Sequence, residues 1–368
     1  MVVGHGGRPV VSRVDVVVPC YNYARFLGRC VESLLHQDGV EVRVLILDDA
    51  SGDDTPEVGR RLAAADSRVT FRRHEANRGH IATYNEGLLE WAGAEYSLLI
   101  SADDVVAPGA FRRATRLLDA YPEAGLAFGQ AQVLIGDADP PAEPPPDDSE
   151  YRLVAGADFL RRCCERAHCP VSTPTALVRT SMQRSCGGYS ADLPHSADLE
   201  MWMRFAMRGP IGVLRGIQAY YRWHAGNMAH QYYNQRLGDR REFLLTCHRM
   251  LGRFGERVPG AREWIDTMHH VVAGEAVFSA NKCFDRGDDE GSRAWLALAA
   301  EIDPGIRWSR GWWRSRVARL LGRPLVGVVR PLLHRLRGLP PQPPVAAAAT
   351  HFRGFRPGEV VGWWPGTP

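Results

Sequence analysis

Two pairs of adjacent carboxylates, Asp48-Asp49 and Asp103-Asp104, each follow a short run of apolar, β-prone residues. A carboxylate in that position can accept a hydrogen bond from a base N–H or a ribose hydroxyl. Two of them beside a diphosphate can hold a divalent cation. Either pair alone reads equally well as a turn or a helix cap. Two pairs at the same edge of one sheet read better as a ligand site, because open α/β sheets bind ligands outside the carboxyl ends of their strands.

The elements that must position these acids follow from apolar spacing. Residues 14–18 (VDVVV) predict a buried strand ended by Pro19, and Asn22 can then cap a helix with apolar positions at Phe26, Leu27, Cys30, Val31, Leu34 and Leu35. A second strand over 40–47 runs into the first acidic pair, and Thr55-Pro56 has the signature of a helix start. A short strand at 69–72, a helix over 81–91, a strand at 96–100 and a helix through 111–121 follow, and 126–128 begins a fifth strand. The alternation predicts an α/β fold, a mostly parallel sheet flanked by helices and followed by a helical C-terminal region.

Domain expectations are a catalytic domain over 1–235, a helical subdomain over 236–304, a basic amphipathic segment over 305–338 and a disordered tail over 339–368. Within the first domain, 136–150 (GDADPPAEPPPDDSE) reads as an exposed Pro-rich loop. The stretch AVFSANKCFDRGDDEGSRAWLALAAEIDP has the look of one tetratricopeptide-type helix–turn–helix, although a plain helical subdomain is the simpler reading. Residues 307–337 carry nine arginines and no acid, interleaved with tryptophans, leucines and valines. Such a segment suits a helix lying in a membrane interface, and equally a helix packed on the catalytic domain with its arginines solvated.

The 368 residues are 45% apolar and 24% charged, with a net charge of +3. That balance is ordinary for a globular chain and gives no case for nucleic acid. None of the eight cysteines forms a CxxC pair, and the cluster Cys163, Cys164, His168, Cys169 matches no common zinc spacing. The N-terminal residues lack the pattern of a secretory signal, and no stretch reaches the ~18–20 apolar residues of a membrane span. The expectation is therefore a cytoplasmic chain, peripheral on the inner face of the membrane if 307–337 docks there.

Consecutive blocks then carry a resemblance. VVVPCYNYARFLGRCVESLLHQ, VLILDDASGDDT, NRGHIATYNEGL and LLISADDVVAPGAF, followed by TPTALVRTSMQRSCGGYSADLPHSADLEMWMRFA and YYRWHAGNMAH, resemble the signatures of family 2 inverting glycosyltransferases with the GT-A (Rossmann-like) fold. The resemblance covers roughly residues 14–230; each motif is weak alone, and six in order are specific. It implies that Pro19, Tyr21 and Asn22 shape the first turn around a nucleotide, with Asp48 and Asp49 near the base and ribose. Asp103 takes the place of the last carboxylate of the family's DxD motif, which binds Mg²⁺ or Mn²⁺ on the donor diphosphate, with Asp104 and His224 as further metal candidates. Asp198 falls on the family's catalytic carboxylate, with His195, Glu200 and Trp202 on the acceptor side.

Several of these positions have competing readings. His195 assists or is a surface histidine, and Glu200 orients the site or caps a helix. Trp202 reads first as core, together with Met203, Phe205 and Met207. His224 and Asn227 reach the diphosphate or metal, or sit in a solvated loop. Two departures stand out: Ser101 occupies the first DxD position, beside Ala102, and Tyr84 stands where many members have an arginine, so that Arg78 or His80 would have to supply a phosphate contact. The implied activity is metal-assisted transfer of a sugar from a nucleotide sugar, UDP favoured, to a glycan or lipid-linked acceptor, in polysaccharide or glycoconjugate synthesis. The alternative that Ser101 allows is an inactive nucleotide-sugar-binding or scaffold protein.

Overall fold

The computed structural model describes residues 11–227, 236–254, 258–336 and 355–366. They form two compact units, one of Met1–Leu160, Cys169–Gln231 and Phe355–Pro368, the other of Arg161–His168 and Tyr232–Gly354. The C-terminal residues group with the first unit.

In the first unit, β1 (Ser12–Cys20), β2 (Val40–Asp48), β3 (Val69–Arg73) and β4 (Tyr96–Leu99) pair in parallel in the order β3-β2-β1-β4. Val14, Val16, Val17 and Val18 are all fully buried, as expected of a parallel strand covered on both faces. The crossovers are α1 (Ala24–Leu35), α2 (Thr55–Ala65) and α3 (His80–Asn85), the last continuing as a π-helix over Glu86–Trp91. Beyond β4 the sheet becomes mixed. After β5 (Val105–Val106) and α4 (Ala110–Ala120), β6 (Leu126–Ile135) runs parallel to β9 (Ile211–Trp223). Between them in sequence come β7 (Tyr151–Val154), α5 (Gly156–Glu165), β8 (Leu177–Arg179), α6 (Thr180–Cys186) and α7 (Ala197–Ala206). β8 is antiparallel to both β4 and β6, and β5 and β7 are antiparallel to β9.

The tail is not without structure where it is described. β10 (Val360–Val361) pairs antiparallel with β6, Trp363 and Trp364 are buried, and Phe355 stands edge-on to Trp223 at 5.1 Å. Composition misled here because two tryptophans and a phenylalanine supply enough apolar surface to anchor a short strand despite the surrounding Gly and Pro. Residues 339–354 of that tail lie outside the described ones. The Pro-rich loop 136–150 is largely exposed, yet it is pinned by charge. Arg25 faces Asp137 at 3.4 Å, Arg113 and Arg112 hold Asp147 at 2.8 and 3.0 Å, and Arg215 holds Asp148 at 2.5 Å.

The second unit is helical: α8 (Arg236–Phe254), α9 (Ala261–Arg286), α10 (Asp289–Ile302) and α11 (Arg310–Leu336). Ala273, Ala276 and Ala280 of α9 let Trp295, Leu296 and Leu298 of α10 pack closely, and Gly287 in the left-handed region turns the chain between them. α11 bends at Gly322 (φ 76°), two residues before Pro324. All eight cysteines are free thiols. Among the described residues no helix is long and apolar enough to cross a membrane.

Candidate active site

The carboxyl ends of β1 and β2 are tied together by their own side chains. Asn22 adopts φ 59°; its N–H donates to Ser51 Oγ at 2.8 Å and its Oδ1 accepts from Gly52 N at 2.8 Å. The expected cap of α1 by Asn22 is therefore absent, because that side chain is spent on the neighbouring loop. Asp53 serves instead, accepting from Ala24 N at 3.1 Å and from Thr55 N at 3.0 Å, one carboxylate for two helix starts. Pro19 is half-buried behind this turn, while Tyr21 is 49% exposed at its rim.

Asp48 and Asp49 have different fates. Asp48 is wholly buried, accepting from Ser51 N at 2.9 Å and facing Arg73 Nε at 3.5 Å. Asp49 Oδ1 meets His74 Nδ1 at 2.7 Å and Arg78 N at 2.8 Å, and its Oδ2 accepts from Gly79 N at 2.9 Å. Gly79 stands at φ 82°, a backbone state that a side chain would strain, and it brings the chain straight into α3. His74 Nε2 and Arg78 Nη1 both reach Glu86 Oε2, at 3.0 and 2.5 Å. Asp49 thereby organises the 74–80 loop, and the Arg78 guanidinium proposed for phosphate is paired with Glu86.

At the end of β4, Asp103 and Asp104 are both buried. Asp103 Oδ2 lies 3.1 Å from His224 Nε2 and 3.0 Å from Asn227 Nδ2; the loop after β9 reaches the acid rather than solvent. Asp104 Oδ1 accepts from Arg222 N at 2.9 Å. The buried Arg222 side chain donates to Asp103 O, Gly136 O and Ala138 O, fixing the start of the Pro-rich loop. Burial, and then the charge of Asp103, pushes the Asp104 carboxyl well above the usual range. Ser101 is half-buried and Ala102 fully buried.

The metal candidates narrow on this geometry. His224 Nδ1 accepts from Gly226 N at 3.1 Å, so Nε2 carries the proton and donates to Asp103; in that tautomer it cannot ligate a metal. Asp104 has an oxygen committed to Arg222. Among the described residues no group of three or more His, Cys, Asp or Glu is spaced to hold a metal ion. What remains is Asp103, a hard oxygen donor. Such a single anchor fits Mg²⁺ or Mn²⁺, ions that take much of their coordination from phosphate and water.

Asp198 stands in the first turn of α7 and is only partly exposed. Thr173 Oγ1 donates to its Oδ2 at 2.5 Å. Burial pushes its pKa up, against the opposing effects of Thr173 and of the His80 charge. His80, the residue after Gly79, also reaches Pro194 O at 3.1 Å and stacks edge-on with Tyr84 at 5.4 Å, and Tyr84 packs on Tyr189 at 5.7 Å. His195 is half-buried in the loop before α7. Two acceptor-side assignments are corrected. Trp202 is 2% exposed and packs on Phe205, which leaves no face for a sugar. Glu200 is buried against Arg204, whose guanidinium also donates to Cys186 O and Gly188 O, so it braces the α6–α7 connection.

Sequence reasoning missed His74, Thr173 and Arg222. Thr173 sat in the quoted TPTALVR block with a hydroxyl and no evident task, which was a usable signal. His74 and Arg222 lie at the ends of strands, in positions that spacing does not distinguish from ordinary strand residues.

Known proteins share the family signature and the fold. Residues 15–144 match the model of the family described as Glycosyl transferase family 2. An uncharacterized protein of Mycobacterium tuberculosis is 25% identical over 222 residues, 55% of this chain and 65% of its own length. The succinoglycan biosynthesis protein ExoO of Rhizobium meliloti is 36% identical over 151 residues, 41% of this chain and 39% of its own length. The match thus spans less than two thirds of either relative. Among solved structures, S. aureus TarS 1-349 in complex with UDP-GlcNAc aligns with a TM-score of 0.52 at 16% identity, over 80% of this chain and 92% of that one, a likeness of fold. This chain carries a glycosyl transferase family 2 domain with the GT-A fold.

Proposed function

We propose that the protein is an inverting glycosyltransferase moving a sugar from a nucleoside diphosphate sugar, with UDP favoured, to a hydroxyl of a glycan or lipid-linked acceptor. The observation that carries this reading is Asp103, a buried carboxylate at a strand end whose Oδ2 is fixed by two side-chain donors. UDP is supported by the TarS structure, which was solved with UDP-GlcNAc.

In this reading the turn of Pro19, Tyr21 and Asn22 meets the nucleotide, and the exposed Tyr21 ring is its accessible part. Asp198 accepts the proton of the acceptor hydroxyl as that oxygen attacks the anomeric carbon; the sugar–phosphate bond breaks and the nucleoside diphosphate leaves. Burial raises the pKa of Asp198 toward working pH, which strengthens it as a base. A divalent ion held through Asp103 supplies, when bound, neutralisation of the departing diphosphate.

The test is calorimetric titration of UDP, GDP and dTDP, with Mn²⁺ or with EDTA, into wild type and Asp103→Ala. Metal-dependent binding of one nucleotide, lost in the variant, is the expected result. Binding indifferent to both metal and Asp103 would remove the metal from the reading. Binding without donor turnover by wild type would favour an inactive nucleotide-sugar-binding protein, the reading that Ser101 leaves open.

A further inference from the structure

In water a surface helix turns its apolar side chains toward its own unit and its charges outward. α11 follows this only in part: Trp312 and Val326 face inward, but so do several of its arginines. Arg319 donates to Ala280 O at 3.0 Å and Asn281 Oδ1 at 3.2 Å, Arg323 donates to Phe284 O at 2.7 Å, and Arg330 forms a two-pronged pair with Asp285 at 2.7 and 3.1 Å. Three guanidinium groups of this helix therefore point into the helical unit.

The opposite side is apolar. Leu325, Val328, Val329, Leu332 and Leu336 recur at helical spacing and are all exposed, Val328 by 71% and Leu336 by 76%. Before the bend at Gly322, Trp313, Val317 and Leu320 continue the pattern, Leu320 being 85% exposed. An apolar stripe carried over both halves of a helix is larger than the scattered exposed leucine that needs no explanation. Around its first half stand four further arginines, Arg307, Arg310, Arg314 and Arg316, all exposed, and the exposed Trp308.

We propose that α11 is a docking face for an anionic lipid surface, lying in the plane of the membrane with the apolar stripe in the acyl boundary and the outer arginines among the headgroups. Charge selects this occupant. The segment 307–337 contains no acid, so its outward field is uniformly positive and complements phosphate-bearing headgroups. A second copy of the chain is disfavoured by the same feature, because a two-fold interface would set the same arginines against themselves. Exposed tryptophans suit the headgroup level, where an amphipathic ring is half solvated. The helix cannot span the bilayer, but burial of one face needs no span. Docking is separable from glycosyl transfer: its residues belong to the helical unit and include none of the acids assigned to the reaction.

The test is flotation of the purified full chain with vesicles of neutral phosphatidylcholine and with vesicles containing about a third anionic lipid, at low and high salt. Two variants accompany it, Leu325→Ser/Val329→Ser/Leu332→Ser and Arg310→Gln/Arg314→Gln/Arg316→Gln. These side chains are solvent-exposed, and unchanged thermal unfolding confirms that each variant folds. Wild type is expected to float with anionic vesicles at least tenfold more than with neutral ones, and less at high salt. The serine variant loses binding to both kinds. The glutamine variant loses the anionic preference, by about fivefold per arginine removed. Failure of wild type to float, or equal flotation of all three proteins, would overturn the proposal. So would a concentration-dependent dimer that the serine variant dissolves while vesicles are ignored, which would assign the face to a second copy.

Discussion

Asp49 and Asp198 are two buried or half-buried carboxylates of one unit, linked by a single loop, and their surroundings differ in kind. Asp49 takes hydrogen bonds from Arg78 N and Gly79 N and pairs with His74, so both its oxygens are occupied by the protein. Asp198 has Thr173 Oγ1 on one oxygen, and burial that pushes its pKa up. A carboxylate saturated with donors is immobile and serves to fix backbone. A desolvated one with few donors is poised to take a proton. The difference teaches where geometry is held and where chemistry is done. The two are coupled: Asp49 fixes Gly79, and the next residue, His80, acts on the charge of Asp198.

The comparison breaks most visibly at Asp198. Asp198→Asn removes the base while keeping shape, and turnover of a nucleotide sugar is expected to fall by roughly 10²–10⁴-fold. Stability should move the other way. Because the folded-state pKa is raised, the ionised carboxylate is disfavoured in the native state at pH above that value. The penalty vanishes as pH falls toward the unfolded value. The Asn variant is therefore expected to melt higher than wild type at neutral pH and to converge with it in acid. Equal melting temperatures at all pH would show that Asp198 is better solvated than its burial implies.

Asp49→Ala tests the other half. It strands two backbone N–H groups and His74 and should cost about 3 kcal/mol in denaturant unfolding. A loss under about 1 kcal/mol would mean that water replaces the clamp, and would sever the link from Asp49 to His80.

Much of this was legible in the sequence. The first four strands and their helices follow from apolar spacing, because parallel strands buried on both faces leave the unbroken β-branched runs seen at 14–18. The strand ends with paired acids marked the site's edge. The mixed half of the sheet was not legible, since β8 has three residues and β5 two, too few to show a period. Nor was the division of labour between Asp48, wholly buried against Ser51 and Arg73, and Asp49, which holds a loop. Hydrogen-bond partners 25–30 residues away in sequence decide it, and adjacency does not encode them. The orientation of α11 escaped for the same reason: its arginines were visible, and the two carbonyls and the Asp285 carboxylate of α9 that draw three of them inward were not.

Thr173→Val sharpens the comparison by stripping the hydroxyl donor from Asp198. The isosteric methyl keeps the packing, so stability should change by only about 1 kcal/mol. Thr173 holds the carboxylate down, against burial, so its removal raises the pKa further. The groups facing Asp198 that remain are His80, Tyr189 and Cys169, of which His80 alone favours the ionised form. The acid limb of the kcat/KM profile is then expected to move to higher pH, with the alkaline plateau retained. An unmoved limb would mean that another group sets it.

The smallest effect lies in the turn that carries Asp49. Ala50 sits at φ 61°, where an L side chain crowds the following carbonyl by roughly 1–2 kcal/mol. Ala50→Gly relieves that crowding but frees the unfolded chain, which returns about 0.5–1 kcal/mol. A net gain of about 0.5 kcal/mol is expected, read as a rise in the urea midpoint at constant slope. Were the strain needed to aim Asp49 at Arg78 N and Gly79 N, the variant would gain stability and lose nucleotide affinity together. If the strain only records the tightness of the turn, affinity stays put, and the clamp on the 74–80 loop is set by hydrogen bonds alone.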